Sequence, residues 1–295
     1  MTTTLTRPPV APTPAPLSPS CRKRGRRPRL LVYIALTIAG VATVMPFVWM
    51  LLASVKPPGE ILADPGGWWP RSPTLGNYRE WFGALHFGTF FANSAIVAVV
   101  TVLGNLLFCS MVGYALAKLA FPGKRFLFGL VMVTLMVPGV VTFVPLFVVV
   151  AKLHLINTYA GLILPFLTSP IGVFLMRQFI RSIPDELLEA ARIDGADEMR
   201  IFLRIVLPLC GPPLATLGIL TFLASWNNFL WPLVVAQNQD RYTLPVALSL
   251  YSTGEQATNY GLLLAGSVMV ITPIVVLFIA LQRWFVQGVA TVGLK

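Results

Sequence analysis

Apolar residues run through this chain in long blocks that contain no Asp, Glu, Lys, Arg or His. Six blocks stand out: Leu30–Val55, Phe87–Ala117, Phe126–Ala151, Leu155–Met176, Ile205–Gln239 and Gln256–Gln282. The shortest has 22 residues and the longest 35. A helix needs about 20 residues to cross the hydrocarbon core of a bilayer. Each block therefore suffices for one crossing and none for two. The pattern predicts an all-α, polytopic membrane protein with six transmembrane helices. Leu30–Val55 is longer than the roughly 7–15 apolar residues of a secretory signal, so it reads as an uncleaved anchor even though Arg22–Arg29 precedes it. The first twenty residues are rich in Thr, Pro and Ala. The stretch 1–29 is expected to be a disordered basic tail, and 30–295 the membrane domain.

Composition agrees with the pattern. Of 295 residues, 56% are hydrophobic and 11% charged, against about 25% charged in soluble domains. The net charge of +11 would suggest nucleic acid in a soluble protein. Its distribution gives another reason. With six spans, the side holding both termini carries 17 Lys and Arg, and the opposite side carries five: Lys56, Arg71, Arg79, Lys152 and Arg241. The positive-inside rule places both termini in the cytoplasm, so the excess needs no nucleic acid.

All 11 acidic residues lie outside the blocks. That argues against a proton-driven transporter, which usually needs ionisable groups within the membrane. Sodium coupling through backbone carbonyls stays open. An integral-membrane enzyme would need acids, His or Cys clustered at one face. Cys21, Cys109 and Cys210 have no metal or redox spacing, and His86 and His154 have no partner at ligand or triad spacing. Gly123-Lys124-Arg125 fails as a phosphate loop, because Arg125 and Lys118 stand where Ser/Thr and Gly are required. Within the blocks, Asn93, Asn105, Asn227 and Asn228 need hydrogen-bonding partners, as do carbonyls freed by Pro46, Pro138, Pro145, Pro165, Pro170, Pro232 and Pro273. Either neighbouring helices or a polar solute pathway can supply them. In the first external loop, about 56–86, Trp68, Trp69, Tyr78 and Trp81 read as interfacial anchors.

The loop between the fourth and fifth blocks carries six of the 11 acidic residues and five basic ones. Ser182 with Asp185 is spaced as a capping box, and Pro184 suits a first helical turn. Leu187, Leu188 and Ala191 are expected on one face, with Gly195 as a stop. A second helix is expected from Asp197 to Leu207, ended by Pro208. The result is a helix–Gly–helix hairpin over about 181–208. It is either a solvated connector or a docking surface.

Within it, Glu189-Ala190-Ala191, three residues, Gly195, nine residues and Ile205-Val206-Leu207-Pro208 resemble the EAA signature of bacterial ABC importer permeases. Ala92-Asn93-Ser94, Gly113-Tyr114-Ala115-Leu116-Ala117, Phe121-Pro122-Gly123-Lys124, Trp226–Pro232 and Tyr242–Val246 narrow the resemblance to the carbohydrate permeases of the maltose and multiple-sugar group, MalG-like subunit. It covers about Leu30 to the C-terminus. Asn228 stands where many relatives have Asp, and Gly288–Lys295 follows the family's glycine-rich tail loosely. The resemblance implies a type I ABC importer permease fold and a non-catalytic subunit that forms half of a sugar pathway. It implies a second permease subunit, a dimeric ATPase that binds ATP and Mg, an extracytoplasmic sugar-binding protein, and surrounding lipid. This chain itself would bind no cofactor and no metal. The hairpin would be the coupling helix: Glu189 pairing with the ATPase, Ala190 and Ala191 allowing close approach, Gly195 making the bend, with Asp194, Ile205, Leu207 and Pro208 completing the motif. Asn93, Asn105, Asn227 and Asn228 become candidate pathway residues. Tyr242, Thr243, Leu244 and Pro245 become the candidate contact with the binding protein.

Overall fold

The computed structural model describes residues 27–83, 85–252 and 259–292. Cys21, the basic cluster through Arg26, Glu255 and Lys295 lie outside them. Helix α1 is Arg27–Ser54, and it starts inside the segment expected to be a tail. The part of α1 up to Phe47 belongs to a unit of its own. From Leu30 to Phe47 its side chains are exposed and, apart from Thr37 and Thr43, apolar or aromatic, as in a helix meant for lipid. Thr37 and Thr43 turn their hydroxyls back to carbonyls of their own helix, at 2.9 and 2.8 Å.

The second unit begins at Val48. After α1 come α2 (Pro58–Ala63) and α3 (Gly76–Gly83), then the 32-residue α4 (Phe87–Lys118). Next are α5 (Lys124–Met136) and α6 (Gly139–Lys152), bent by 106°. A short α7 (Tyr159–Ile163) continues through one 3₁₀ turn and bends by 43° into α8 (Pro170–Arg181). The hairpin follows as α9 (Asp185–Ile193) and α10 (Glu198–Ile201). A π-helical turn, Phe202–Val206, leads to α11 (Leu207–Leu209), which bends by 81° into α12 (Gly211–Trp226). The chain ends with α13 (Leu230–Val235), α14 (Leu244–Ser252) and α15 (Tyr260–Val292). Among the described residues three helices are long and apolar enough to span a membrane, and the three bent pairs bring the total to as many as six.

A charge-free block is thus not always a straight helix. The residue before proline is sterically kept out of the α region. Val137 before Pro138 sits at φ −81°, ψ 119°, and Ser169 before Pro170 at φ −128°, ψ 137°. Both are extended, and both helices break there. Pro208 does not end its helix as expected. Leu207 remains helical, preceded by the widened π turn, and the break comes at Cys210, ahead of Gly211-Pro212-Pro213. Such a turn absorbs a missing N–H donor.

The first external loop corrects another expectation. Trp81 is fully buried, not an interfacial anchor. Its Nε1 donates to the Leu262 carbonyl at 2.9 Å, and Gly266 leaves room for its ring. Tyr78 bonds Ser54 through its hydroxyl at 2.7 Å, and Asn77 donates to the Ser54 and Lys56 carbonyls. Lys56, counted as a loop charge, is buried with Nζ on the Gly67 carbonyl at 2.6 Å. Trp68 and Trp69 are exposed. His86 and His154 occupy left-handed turns at span ends, with φ 53° and 55°.

Three apolar cores line up along α4. Cys109, Tyr114 and Leu116 enter a core with α8, the hairpin and α12. Phe90 and Ala98 enter a second, with Trp81, Trp226 and Leu262. Val97 enters a third, with Leu162, Trp231 and Val235. Helices α4 and α8 approach closely because Gly113 faces them with no side chain. A Cβ there would lie 2.9 Å from the Met176 Cβ and 3.0 Å from the Arg177 nitrogen. Small residues serve this purpose in membrane helix pairs. Gly113→Ala is expected to destabilise the protein by about 1–3 kcal/mol, the usual cost of overpacking. At Gly218 the nearest atom to a Cβ is 3.8 Å away, so Gly218→Ala is expected to stay within about 1 kcal/mol of wild type. Thermal melting in detergent checks both.

Candidate functional site

The hairpin is built from two opposed faces of one short helix. Leu188 and Ala191 on α9 are buried with Ile183 in the core shared with α4, α8 and Val206. Leu187 does not join them, contrary to the expected pattern: it is half exposed. With Ala190 and the 86% exposed Ile193 it forms an outward apolar stripe, flanked by exposed Glu186 and Glu189. Helical spacing explains the split: 190 and 193 face away from 188 and 191, and 187 sits at the edge between the two faces.

The hairpin's ends differ from expectation in one detail. Ser182 caps the end of α8, not the start of α9. Its hydroxyl donates to the Phe179 carbonyl at 2.7 Å, and Pro184 precedes α9 with no side-chain cap. Asp185 and Glu186 in the first turn and Arg192 in the last suit the helix dipole. The bend is a Schellman motif. The Ala196 amide donates to the Ala191 carbonyl and the Gly195 amide to that of Arg192, each at 3.0 Å. Gly195 has φ +80°, a conformation that costs side-chain-bearing residues roughly 1–2 kcal/mol. Asp194 is exposed beside it. Ile205 and Leu207 pack half-buried against the hairpin core, and Pro208 is exposed.

Three polar ties fasten the hairpin to α4. The Tyr114 hydroxyl donates to Glu198, whose other oxygen accepts from Arg192 Nε at 2.8 Å. Lys118 donates to the Ile183 carbonyl and pairs with Asp185 Oδ1 at 2.7 Å. The hydrogen bond from Lys118, together with its charge, holds the Asp185 carboxyl below its ordinary range. Lys124 donates to the Ala117 and Leu119 carbonyls, and Arg177 to that of Leu116, so the free end of α4 is closed by cations. Tyr114 lies inside the motif Gly113–Ala117, whose spacing alone does not reveal this tie. A hydroxyl one turn from the end of an apolar span was the available signal, because a buried tyrosine O–H needs a partner.

The four asparagines do not gather at one place. Asn93 is buried and saturated: Nδ2 donates to the Asp240 and Tyr242 carbonyls, and Oδ1 accepts from the Tyr159 hydroxyl at 2.6 Å. Asn105 donates to the Phe166 carbonyl at 2.6 Å and accepts from the Ser169 hydroxyl at 2.7 Å. Asn105 and Asn228 line one cavity of about 250 Å³, walled by α4, α7, α8, α12 and α13. Asn227 is exposed with its amide on the Leu223 carbonyl. At the opposite end from the hairpin, Thr243 and Leu244 are buried, with the Leu244 amide on the Ser94 hydroxyl at 2.7 Å. Tyr242 and Pro245 are half-buried, and the neighbouring Gln237–Asp240 is the exposed stretch.

The comparisons with known proteins bear on this geometry. A family described as the binding-protein-dependent transport system inner membrane component matches residues 109–291. The arabinooligosaccharides transport system permease protein AraQ of Halalkalibacterium halodurans is 45% identical, over 92% of this chain and 99% of that protein. AraQ of Bacillus subtilis is 39% identical over 91% of this chain and 98% of that protein. The sn-glycerol-3-phosphate transport system permease protein UgpE of Pectobacterium atrosepticum is 33% identical over 87% and 94%. Among solved structures, a chain from a bacterial ABC transporter involved in the import of the acidic polysaccharide alginate superposes with a TM-score of 0.80. It is 23% identical and covers 91% of this chain and all of that one, which speaks to the fold. The matched segment takes in the cavity helices α8 and α12 and the whole hairpin, and the chain therefore belongs to the family of binding-protein-dependent transport system inner membrane components, as a non-catalytic, multi-pass permease.

Proposed function

We propose that this chain is one of two permease subunits of an ATP-driven importer for a neutral oligosaccharide, and that α9 is the element docked on the ATPase. The carrying observation is the two-faced α9. Its inner face is part of the membrane core, while its outer face offers Leu187, Ala190 and Ile193 between two carboxylates. The outer stripe suits a cleft with apolar floor and basic rim, and Glu189 stands at that rim. ATP and Mg are held by the ATPase. The hairpin and both termini face the cytoplasm, consistent with the 17-to-5 split of basic residues. The exposed Gln237–Asp240, beside the locked segment Tyr242–Pro245, is the contact for the extracytoplasmic binding protein. Likeness to the arabinooligosaccharide permeases supports the solute class.

Transport then proceeds by alternating access. ATP binding closes the ATPase dimer, and the hairpins move with it. Such coupling requires the ATPase to bind the two permease conformations with different affinity. The ties from Tyr114 and Lys118 carry the movement into α4.

Ile193→Asp leaves the core untouched, since the side chain projects outward. It is expected to lower the ATPase recovered on purification by at least about tenfold, as for loss of an interface hot spot. Glu189→Lys should do the same or uncouple ATP hydrolysis from uptake. Full ATPase recovery with both variants, or uptake by the chain alone in liposomes, would overturn the reading. The Asp185–Lys118 tie gives a pH test. A carboxyl with a lowered folded pKa stabilises at neutral pH and loses that contribution as pH falls through the lowered value. Amide exchange in α9 is therefore expected to be steady down to about pH 4, the ordinary carboxylate value, and to rise below it. In Asp185→Asn the acid-dependent rise should be blunted.

A further inference from the structure

Hydroxyls in the membrane helices of this protein usually turn back on their own backbone. Thr134, Thr216, Ser267 and Thr272 each donate to the carbonyl four residues earlier, at 2.7–3.1 Å. The cavity between α4, α8 and α12 breaks the habit. Thr101 is 3% exposed, and its hydroxyl has no hydrogen-bond partner. Thr221 and Ser225, one turn apart on α12, also line this cavity, and neither hydroxyl bonds to the described residues. Asn228, one further turn along, spends its Oδ1 on the Trp231 amide and leaves its Nδ2 free. The opposite wall is apolar, with Leu162, Phe166 and Trp231, and no lining residue is charged.

A buried hydroxyl without a partner costs free energy unless something else satisfies it. Here one such hydroxyl, that of Thr101, lies with the half-exposed hydroxyls of Thr221 and Ser225 around one space of about 250 Å³, slightly below the roughly 300–1,000 Å³ of small-molecule pockets. We infer that the cavity is a subsite for one neutral, hydroxyl-rich ring of the transported solute. The hydroxyls of Thr101, Thr221 and Ser225 and the Asn228 amide bond the ring's hydroxyls. Phe166 and Trp231 cover its C–H face. The space admits one ring, so an oligosaccharide passes through it unit by unit. An anionic solute is rejected there, because a charge buried without a partner is expensive in such a setting. This rests on the sugar-importer reading and adds a place and a charge preference to it.

The test uses the whole importer, with partner permease, ATPase and binding protein, reconstituted in proteoliposomes. The probes are arabinotriose, neutral, and sn-glycerol-3-phosphate, anionic. Thr221→Val/Ser225→Ala is expected to lower uptake of the neutral probe at subsaturating concentration by about tenfold, the scale of two lost hydrogen bonds. Thr101→Val is expected to lower that uptake about threefold, while raising the melting temperature of the solute-free complex, because it removes an unpaired buried hydroxyl. Thr216→Val removes a back-bonded hydroxyl from the same helix outside the cavity, and uptake should match wild type. If ATP-dependent uptake persists unchanged in all cavity variants, the subsite is wrong and the importer reading stands. If the wild-type importer moves glycerol phosphate in preference to arabinotriose, both readings fall.

Discussion

Inside a bilayer no water is present to pair a backbone group that a helix releases, so each break in a helix must be closed by the protein itself. Among the described residues three apolar blocks are broken, and polar residues of the long α4 close the break before α8 and the turns before α9 and α14. Along α4, Asn93 receives the turn before α14, Ser94 accepts the first amide of α14, and Asn105 holds the end of α7's 3₁₀ turn. Cys109 accepts from the Ser169 amide at the next break, at 3.4 Å, and Lys118 takes the carbonyl released before α9. Tryptophans do similar work elsewhere: Trp226 donates to the Val270 carbonyl and Trp231 to that of Gly161. The polar residues of α4 are thus spaced to meet the break before α8 and the turns before α9 and α14.

That arrangement makes the hairpin an extension of the membrane core. Leu188, Ala191, Ile201 and Val206 are buried together with Met176 and Leu217 from the spans. A force on α9 meets no loose joint before it reaches α4 and α8. The π-helical turn and the bend at Cys210 lie immediately beyond. These are the least regular backbone between the hairpin and α12, and they are where a change of angle is absorbed at least cost.

Much of this was legible in the residues. Blocks without charge gave the number of spans, and Gly195 gave the bend because its backbone angle excludes side chains. The helix–Gly–helix hairpin was legible in the spacing around Gly195. What was not legible depends on neighbours. Pro138 breaks its helix outright while Pro208 is carried through by a widened turn, and both read alike as proline in an apolar block. Trp81 reads as an interfacial residue until Gly266 opens a place for it. Ser182 and Asp185 have the spacing of a cap, yet Lys118, 67 residues from Asp185 in the chain, claims the carboxylate. The open hydroxyls of Thr101, Thr221 and Ser225 could not be told from the back-bonded Thr216 without knowing which face each presents.

The division of α9 into an inner and an outer face has a bearing on how such a subunit diverges. The buried residues that hold the fold and the exposed ones that project outward alternate along nine positions. Leu187, Glu189, Ala190 and Ile193 can therefore be exchanged without repacking the core. If α9 docks on the ATPase as proposed, a lineage carrying several importers can make one permease answer to a shared ATPase or to a private one by altering four exposed side chains, while the core behind them stays the same.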